Sequence, residues 1–476
     1  MFVFSASARK CAIGGVFILA FLLCSFAAAQ KAPDENLDRQ YQAAVSDYEA
    51  GRYAQAAGEL EKLLPYAPGS YELHELLGMA YASQSASDKA IGHLKTAVEI
   101  KPELAEARIN LGAALAHAGK AELAAGQFRK AVELEPKNYD ANHNLGEFYI
   151  QTGKIAEAQP YLEQAWQLHP EVYDNAYDLA MADFLLGKRD QSRQVINGLI
   201  KLKDTGELRN LLGQIDEKDG KYVEAANDYE AAAHLDPSED NFFDWGSEML
   251  LHRTYEPAIA IFRQGTERFP KSPRMFIGLG LACYSRGIYD EAIKALLAAA
   301  DLNPADPRAY VFLSRAYTSS PLQADDVIQR FRRYAELQPA NALAQYYYAV
   351  SLWKGKRVSD PGTDMGTVES LLQKAIALDD SLAEAHVQLG NLYADQHQYE
   401  KSIPQYVRAL AIDPNLSDAH YRLGTDYVHV GKKEEAEKEF AIYQKLRAEH
   451  LAEVEKERAE VQQFVYSEKA PAPSKP

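Results

Sequence analysis

Histidine and cysteine side chains are the first candidates for chemistry in this chain of 476 residues, which contains 12 His and 3 Cys. Metal sites in proteins use such residues at defined spacing, as in His-Glu-x-x-His on one helix. That motif is absent, and no two histidines stand four residues apart. His74, His386 and His420 instead share one position of a repeating pattern, which Arg108 and Asn142 occupy in other copies. This variation is typical of packing positions, so we predict no metal site.

The sequence also lacks the common motifs of nucleophilic catalysis and nucleotide binding, namely Gly-x-Ser-x-Gly, the Walker loop and the dinucleotide fingerprint. Cys283 occupies a position that holds Tyr81, Tyr149 and Tyr393 in other copies of the pattern, which indicates a buried and unreactive thiol. The 68 acidic residues include no pair that differs from an ordinary solvated surface. We therefore predict no catalytic residue, no cofactor and no enzyme activity.

Composition limits the remaining classes of protein. A hydrophobic fraction of 47% is enough for a large core and excludes a mostly disordered chain. The net charge of −17 repels phosphate backbones, so nucleic acid is not expected as a partner.

The first residues are typical of an export signal. Arg9 and Lys10 precede an uncharged, strongly apolar run over 11–29 that ends in three alanines. We interpret residues 1–29 as a bacterial signal peptide cleaved after Ala29, followed by a short linker over 30–36, and expect export to the periplasm or the medium. A retained membrane anchor is the alternative, because the run is just long enough to span a bilayer. Cleavage would remove two cations, changing the net charge from −17 to −19, and would leave Cys283 as the single thiol.

A period of 34 residues organises the rest of the chain. Prolines mark the end of each period, with Asp204 in one of the expected places: Pro68, Pro102, Pro136, Pro170, Pro237, Pro270, Pro304, Pro339 and Pro414. Leu-Gly pairs recur in phase at Leu77, Leu111, Leu145, Leu212, Leu279, Leu389 and Leu423. Large apolar residues follow in a second run, among them Leu94, Phe128, Leu162, Phe262 and Tyr406.

The pattern resembles the tetratricopeptide repeat, whose period and Leu-Gly, Ala and Pro positions it reproduces. The resemblance implies an all-α fold: a right-handed superhelical solenoid of stacked antiparallel helix pairs. We count about twelve repeats over 37–450, which span 37–70, 71–104, 105–138, 139–172, 173–205, 206–238, 239–272, 273–306, 307–341, 342–382, 383–416 and 417–450. Residues 451–466 are predicted to extend the last helix, and residues 467–476 to form a disordered tail.

Two repeats depart from the pattern. The repeat at 173–205 lacks both its glycine and its closing proline. The repeat at 342–382 carries extra residues in a loop over 354–367, which is either a tolerated solvent loop or a binding loop.

The resemblance also implies where a partner would bind, because positions 2, 5, 9 and 12 of each first helix face a concave groove in that family. The early repeats supply an acidic set there: Glu72, Glu75, Glu106, Asp140, His143 and Glu147. The candidates for partner binding are the aromatic, apolar and arginine residues that follow: Tyr177, Met181, Phe184, Phe243, Tyr284, Arg308, Arg315, Tyr346 and Trp353. Among these, Tyr346 and Trp353 are the strongest, because they lie beside the long loop.

These observations favour a non-catalytic protein–protein interaction scaffold, exported to the cell envelope, that binds segments of protein partners in the groove. The alternative from another class is an accessory subunit of a machine that synthesises or exports polysaccharide or cell wall. The sequence leaves the identity of the partner and the oligomeric state open.

Overall fold

The computed structural model describes residues 35–320, 324–355 and 365–448, together with Ala459 and Gln462. The predicted signal peptide, most of the loop at 354–367 and the predicted C-terminal tail lie outside the described residues. Within the described part, the regular structure consists of α-helices arranged in pairs, and no strand occurs. The all-α fold predicted from the sequence is therefore confirmed.

The chain divides into two compact units, residues 1–215 and 216–476. The first unit contains α1 (Glu35–Glu49), α2 (Tyr53–Leu63), α3 (Tyr71–Ser83), α4 (Ser87–Ile100), α5 (Ala105–His117), α6 (Ala121–Leu134), α7 (Tyr139–Gln151), α8 (Ile155–Leu168), α9 (Tyr173–Leu185) and α10 (Arg189–Leu202). Helix α11 (Gly206–Lys218) contains the point at which the units divide.

The second unit contains α12 (Tyr222–Leu235), α13 (Glu239–Leu251), α14 (Tyr255–Arg268), α15 (Pro273–Arg286), α16 (Tyr289–Leu302), α17 (Pro307–Ser319), α18 (Ala324–Leu337), α19 (Ala342–Lys354), α20 (Met365–Leu378), α21 (Ala383–Asp395), α22 (Tyr399–Ile412), α23 (Ser417–His429) and α24 (Lys433–Ala448). Odd-numbered helices are the first of each pair, and even-numbered helices are the second.

Glycines in the first helices allow the two helices of a pair to approach closely. A Cβ atom added to Gly112 would lie 2.8 Å from a ring carbon of Phe128, and one added to Gly146 would lie 2.6 Å from a methyl carbon of Leu162. Both partners stand 16 residues after their glycine and are buried. Only hydrogen on Cα leaves room for these side chains, so the recurring Leu-Gly pairs fix the helix crossing in each pair.

The turn between the two helices of a pair requires a left-handed residue. Gly119 and Gly153 adopt φ angles of 71° and 73° there. Ser85, Arg253 and His397 occupy the corresponding place in other pairs with φ near 60°, although none of them is glycine. A side chain with Cβ is strained in this region, so these three turns are less favourable than the glycine turns.

Successive pairs in the first unit share one hydrophobic core. The leucines of the Leu-Gly pairs are buried in this core at Leu77, Leu111, Leu145 and Leu212, and Leu179 is buried at the equivalent place. First helices of consecutive repeats also contact each other, α3 with α5, α5 with α7 and α7 with α9. These contacts bring the first helices side by side and determine which residues share a face.

Candidate functional site

A row of carboxylates lies along the first helices of the first unit. The second residue of each of five consecutive first helices is acidic: Glu72, Glu106, Asp140, Asp174 and Glu207. Three more carboxylates lie farther along these helices, at Glu75, Glu147 and Asp178. We call these eight residues the acidic face. All eight are at least partly exposed to solvent.

One end of the acidic face is held by hydrogen bonds between neighbouring repeats. The Glu75 carboxylate accepts hydrogen bonds from the Tyr71 hydroxyl and, at 2.9 Å, from the side-chain amide of the buried Asn110 on the next first helix. Burial raises the pKa of Glu75 to about 7, with Glu106 and Glu72 acting in the same direction and the two hydrogen bonds opposing them. The carboxylates of adjacent repeats therefore repel one another.

Glu72 differs because it already has a cation. The Lys101 ammonium lies 3.0 Å from Oε1 of Glu72 and 4.1 Å from the centre of the Tyr71 ring. Burial acts to raise the pKa of Glu72, but hydrogen bonds from the backbone, Lys101 and Ser70 hold it below its usual value. An acid and a tyrosine at the start of one first helix thus form a site for an ammonium group.

The centre of the acidic face contains an oriented histidine. The Asn175 amide donates to the carbonyl of Leu162 at 3.0 Å, so its oxygen is left to accept from Nδ1 of His143 at 3.2 Å. This arrangement directs Nε2 of His143 toward Glu147, 3.9 Å away. The Tyr139 ring stacks on His143 at 5.5 Å, and its hydroxyl oxygen is buried without a hydrogen-bond partner among the described residues.

The other end of the acidic face carries carboxylates without partners. Burial raises the pKa of Asp178 to about 6, and Glu147, Asp174 and Glu207 add to the shift while His143 opposes it. Asp178 and Asp174 at this end, and Glu106 nearer the first end, make no hydrogen bond or ion pair with other residues in the described part of the chain.

Three of the predicted partner-binding residues lie on α9, beside this end. The Tyr177 ring stacks on Tyr173 with a centroid distance of 6.1 Å, and the Tyr173 hydroxyl donates to Glu207 at 3.0 Å. Tyr177, Met181 and Phe184 are all half-buried and pack with one side against the core of the first unit. Each keeps part of its surface exposed to solvent.

An open cleft of about 450 Å³ lies where the repeat at 173–205 departs from the pattern. Its wall consists of Glu171, Tyr173, Leu199, Leu202, Lys203, Thr205 and Glu207. The closing proline expected at this point is replaced by Asp204, which binds the Arg209 guanidinium at 2.7 Å. Tyr173 and Glu207 belong to both the cleft wall and the edge of the acidic face.

In the second unit, the structure corrects the expectation for Phe243. Its register predicts a solvent-facing side chain, but Phe243 is fully buried. The ring packs against Phe262, and the guanidinium of Arg274 on the next first helix lies 5.1 Å from its centre. Because a long side chain from the neighbouring repeat covers this position, Phe243 has no surface to offer a partner.

The two candidate arginines lie on α17 and Tyr284 lies on α15, and all three are half-buried. The Arg308 guanidinium binds both carboxylate oxygens of Asp306, Oδ2 at 2.7 Å and Oδ1 at 3.0 Å, so its charge is paired at the start of its own helix. Arg315 lies over the Phe312 ring with its guanidinium 5.9 Å from the centre. The Tyr284 ring lies 5.7 Å from that of Tyr289.

Tyr346 and Trp353 lie on the same helix, α19, and are half-buried. Both pack against a small core that includes Val368 and Leu372 of α20. The Tyr346 ring also contacts that of Tyr347 at 5.5 Å. The structure brings these two candidates onto one helix, and each retains some exposed surface beside the start of the long loop.

The described residues also bear on metal binding and membrane insertion. Among them, no group of three or more His, Cys, Asp or Glu side chains is arranged to hold a metal ion. No helix in this part of the chain combines the length and apolar character that crossing a bilayer requires.

Family models identify the repeats. Models described as "Tetratricopeptide repeat" match residues 41–105, 128–160, 153–215 and 252–307, and one described as "TPR repeat" matches 390–428. These segments cover about half of the chain and lie in both units. The chain is a tetratricopeptide repeat protein. The resemblance predicted from the spacing of proline and Leu-Gly is thereby confirmed, and a comparison with curated protein sequences gives no match.

Several solved structures are similar to this tetratricopeptide repeat protein. "Structure of Naa15/Naa10 bound to HypK-THB" matches at 16% identity and a TM-score of 0.37, covering 86% of this chain and 68% of that one. "Functional Characterization of Pseudomonas Aeruginosa pilF" matches at 21% identity and a TM-score of 0.39, covering 44% of this chain and 95% of that one. "Crystal structure of MamA" matches at 23% identity and a TM-score of 0.29, covering 36% of this chain and 95% of that one. At these scores, the likeness carries no information about function.

Sequence reasoning missed part of the acidic face of this tetratricopeptide repeat protein. Asp174 and Glu207 continue the series of acidic second residues, and counting that single position through five repeats would have found them. Asp178 stands at the sixth position of its helix, outside the four positions carried over from the family. Its proximity to the other carboxylates depends on helix packing, which the spacing alone does not give.

Proposed function

We propose that this tetratricopeptide repeat protein is a non-catalytic interaction scaffold, exported to the cell envelope, whose first helices bind segments of protein partners. The supporting observation is a set of side chains on the first helices that contact the core with part of their surface and leave the rest exposed to solvent. Tyr177 in the first unit and Tyr346 with Trp353 in the second are the main examples. Half-exposed aromatic residues of this kind are common anchors in protein interfaces.

Binding through the second unit is tested by site-specific photocrosslinking. A photoreactive residue at Leu343, which is 38% exposed in the first turn of α19, should capture one partner from envelope extract. A photoreactive residue at Val407, 46% exposed on the second helix α22, provides the matched control and should not capture it.

Replacing Tyr346→Leu and Trp353→Leu together should reduce capture at Leu343 several-fold, because leucine keeps the apolar contacts with α20 but removes the aromatic surface. Thermal unfolding of the double variant, followed by circular dichroism, checks that α19 remains packed. Equal capture at Leu343 and Val407, or capture that the double variant leaves unchanged, would contradict binding on this face.

Export is a separate part of the proposal, supported by Arg9, Lys10 and the apolar run over 11–29. Expression in a Gram-negative bacterium, osmotic-shock fractionation and N-terminal sequencing test it together. We expect a periplasmic protein that begins at Gln30. A product that retains Met1 and stays with the membrane fraction would instead support the anchor.

A further inference from the structure

Building on the proposed function, we propose that the acidic face of the first unit binds an extended, cationic polypeptide segment with Lys or Arg at about every third residue. The segment would run across the first helices α3, α5, α7, α9 and α11 and place one cation near each acidic second residue. This identifies the chemistry of one partner and assigns it to the first unit.

The charge balance of the first helices supports a cationic partner. Up to residue 215, these five helices carry eight carboxylates on the acidic face but only two arginines. Arg108 donates to the carbonyl of Pro102 at 2.7 Å and to Gln127, and Arg209 binds Asp204.

Repulsion among these carboxylates is only partly relieved by the described residues. Glu106, Asp174 and Asp178 have no hydrogen bond or ion pair among the described residues, and burial together with neighbouring acids raises the pKa of Glu106 and of Asp178. Bringing positive charge to such a row is favourable because it offsets both repulsion and the lost hydration of the carboxylates.

The chain itself shows what kind of cation fits. Lys101 occupies the place formed by Tyr71 and Glu72, with its ammonium against both the ring and the carboxylate. Tyr139 and Asp140 begin α7 in the same register, and there the His169 ring meets Tyr139 edge-on at 5.2 Å. A tyrosine next to an acid at the start of a first helix thus accommodates an ammonium at Tyr71 and Glu72, and the equivalent tyrosine ring at α7 accepts an imidazole against its face or edge.

A polar atom without a hydrogen-bond partner among the described residues points to a ligand at the start of α7. The Tyr139 hydroxyl is buried without a partner among the described residues, and Asp140, Asp174 and Asp178 are close enough to raise its pKa further after burial itself. A hydroxyl in this position can accept a hydrogen bond from an ammonium or guanidinium group that also reaches the carboxylates.

The spacing of the acidic residues favours an extended polypeptide over a compact cation. One carboxylate per first helix extends the row across five helices, and packed helices lie about 8–10 Å apart. An extended chain advances about 3.3 Å per residue, so about three residues span the distance from one acidic second residue to the next. Half-exposed Tyr173 and Tyr177 provide ring surfaces for the aliphatic parts of Lys or Arg beside this row.

The test measures binding of a fluorescein-labelled peptide of about 13 residues, with Lys at every third position and Ser or Ala between, to the full-length mature chain. A second peptide has the same composition with its lysines adjacent, and spermidine serves as a competing small cation. Fluorescence anisotropy at about 50 and 500 mM salt reports the affinity and its electrostatic share.

Two triple variants change the net charge equally. The first, Glu106→Gln, Asp174→Asn and Asp178→Asn, removes three carboxylates of the acidic face. The matched control, Glu122→Gln, Glu157→Gln and Asp190→Asn, removes three exposed carboxylates in the first turns of second helices α6, α8 and α10. Neither set removes a described hydrogen bond, so both variants are expected to fold.

We expect the spaced peptide to bind more tightly than the adjacent-lysine peptide, and the first triple variant to lose at least about tenfold in affinity while the control loses less than about threefold. Equal losses in both variants, or equal binding of the two peptides, would show a diffuse charge effect and overturn the proposal. Full competition by equimolar spermidine would assign the face to small cations instead.

Failure here is distinguishable from failure of the proposed function. Photocrosslinking at Leu343 reports on the second unit and does not involve the acidic face. Capture at Leu343 without binding of the spaced peptide would reject the cationic segment and leave the scaffold intact. Peptide binding without capture at Leu343 would keep the acidic face and reject the binding role of Tyr346 and Trp353.

Discussion

The second residue of the first helix is acidic in most repeats of the first unit but is an arginine in two repeats of the second unit. In the first unit this position is acidic in five consecutive repeats, and Glu106 and Asp174 there have no partner among the described residues. In the second unit Arg274 takes the position and binds Glu239 and Asp240 of the preceding first helix, while Arg308 binds Asp306. The same place in the repeat therefore holds acids in the first unit, two of them unpaired, and paired arginines in two repeats of the second unit.

The difference shows which properties the repeat determines. Helix crossing and turn geometry follow from glycines and large apolar residues that both units contain, so the position of the second residue is set by the fold. Whether its charge is paired depends on the residue types of the neighbouring repeat. Paired charges stabilise the second unit, whereas unpaired charges in the first unit remain available to a ligand and destabilise the free protein.

The largest effect is expected from breaking a charge pair in the second unit. Arg274→Glu would place a third negative charge beside Glu239 and Asp240 and would uncover the buried Phe243 ring. Since the Arg274 side chain is only 19% exposed, we expect the free energy of unfolding to fall by about 2–3 kcal/mol. Urea unfolding followed by circular dichroism measures the loss.

Arg274→Met is the matched control, because it keeps apolar cover over Phe243 while removing the charge. It should cost about 1 kcal/mol or less. If both variants lose equal stability, packing over Phe243 accounts for the effect and the ion pairs contribute nothing.

The opposite sign is expected in the first unit. Asp178→Asn removes a carboxylate that has no hydrogen-bond partner among the described residues, so at pH 7.5 it should raise the Tm by about 2–4 °C. The pKa of Asp178 is about 6 in the folded chain, above the usual value of 3.8, because of burial and of Glu147, Asp174 and Glu207.

A raised carboxyl pKa means that the folded state binds more protons than the unfolded state between pH 3.8 and about 6. The contribution of Asp178 to the free energy of unfolding is therefore fully present below pH 3.8 and is lost as the pH rises to about 6. The Tm advantage of Asp178→Asn should be full at pH 7.5 and should shrink to about half at pH 5. An advantage that does not change with pH would show that charge is not its origin.

The turns allow a comparison in which the two units should respond alike. Ser85→Gly in the first unit and Arg253→Gly in the second replace residues that hold φ near 60°. Each should increase the free energy of unfolding by about 1 kcal/mol, because glycine adopts this conformation without strain. Gly119→Ala should lower it by a similar amount, and denaturant unfolding measures all three. No gain for either glycine variant would mean that the turn relaxes around its side chain.

Sequence reasoning predicted the all-α fold because the residues that determine it act over short distances. Gly112 and Phe128 stand 16 residues apart and meet within one helix pair, so their spacing can be read directly. The face toward a partner depends instead on contacts between repeats. The prediction that Phe243 is exposed was wrong because Arg274 from the next repeat covers its ring. Asp178 was missed because only helix packing brings it beside Glu207.

The smallest expected effect tests whether the Lys101 site belongs to the acidic face. Lys101→Ala removes the ammonium that contacts Glu72 and Tyr71 and leaves both residues accessible to a ligand. The pair is about half exposed, so stability should change by less than about 1 kcal/mol. Affinity for the spaced lysine peptide should instead rise about two- to threefold at low salt, measured by fluorescence anisotropy, and the gain should vanish at about 500 mM salt. Lys154→Ala, at the N-cap of second helix α8, removes another exposed charge and provides the control. If both variants raise affinity equally, the gain reflects net charge alone, and the Tyr71–Glu72 site does not contribute to peptide binding.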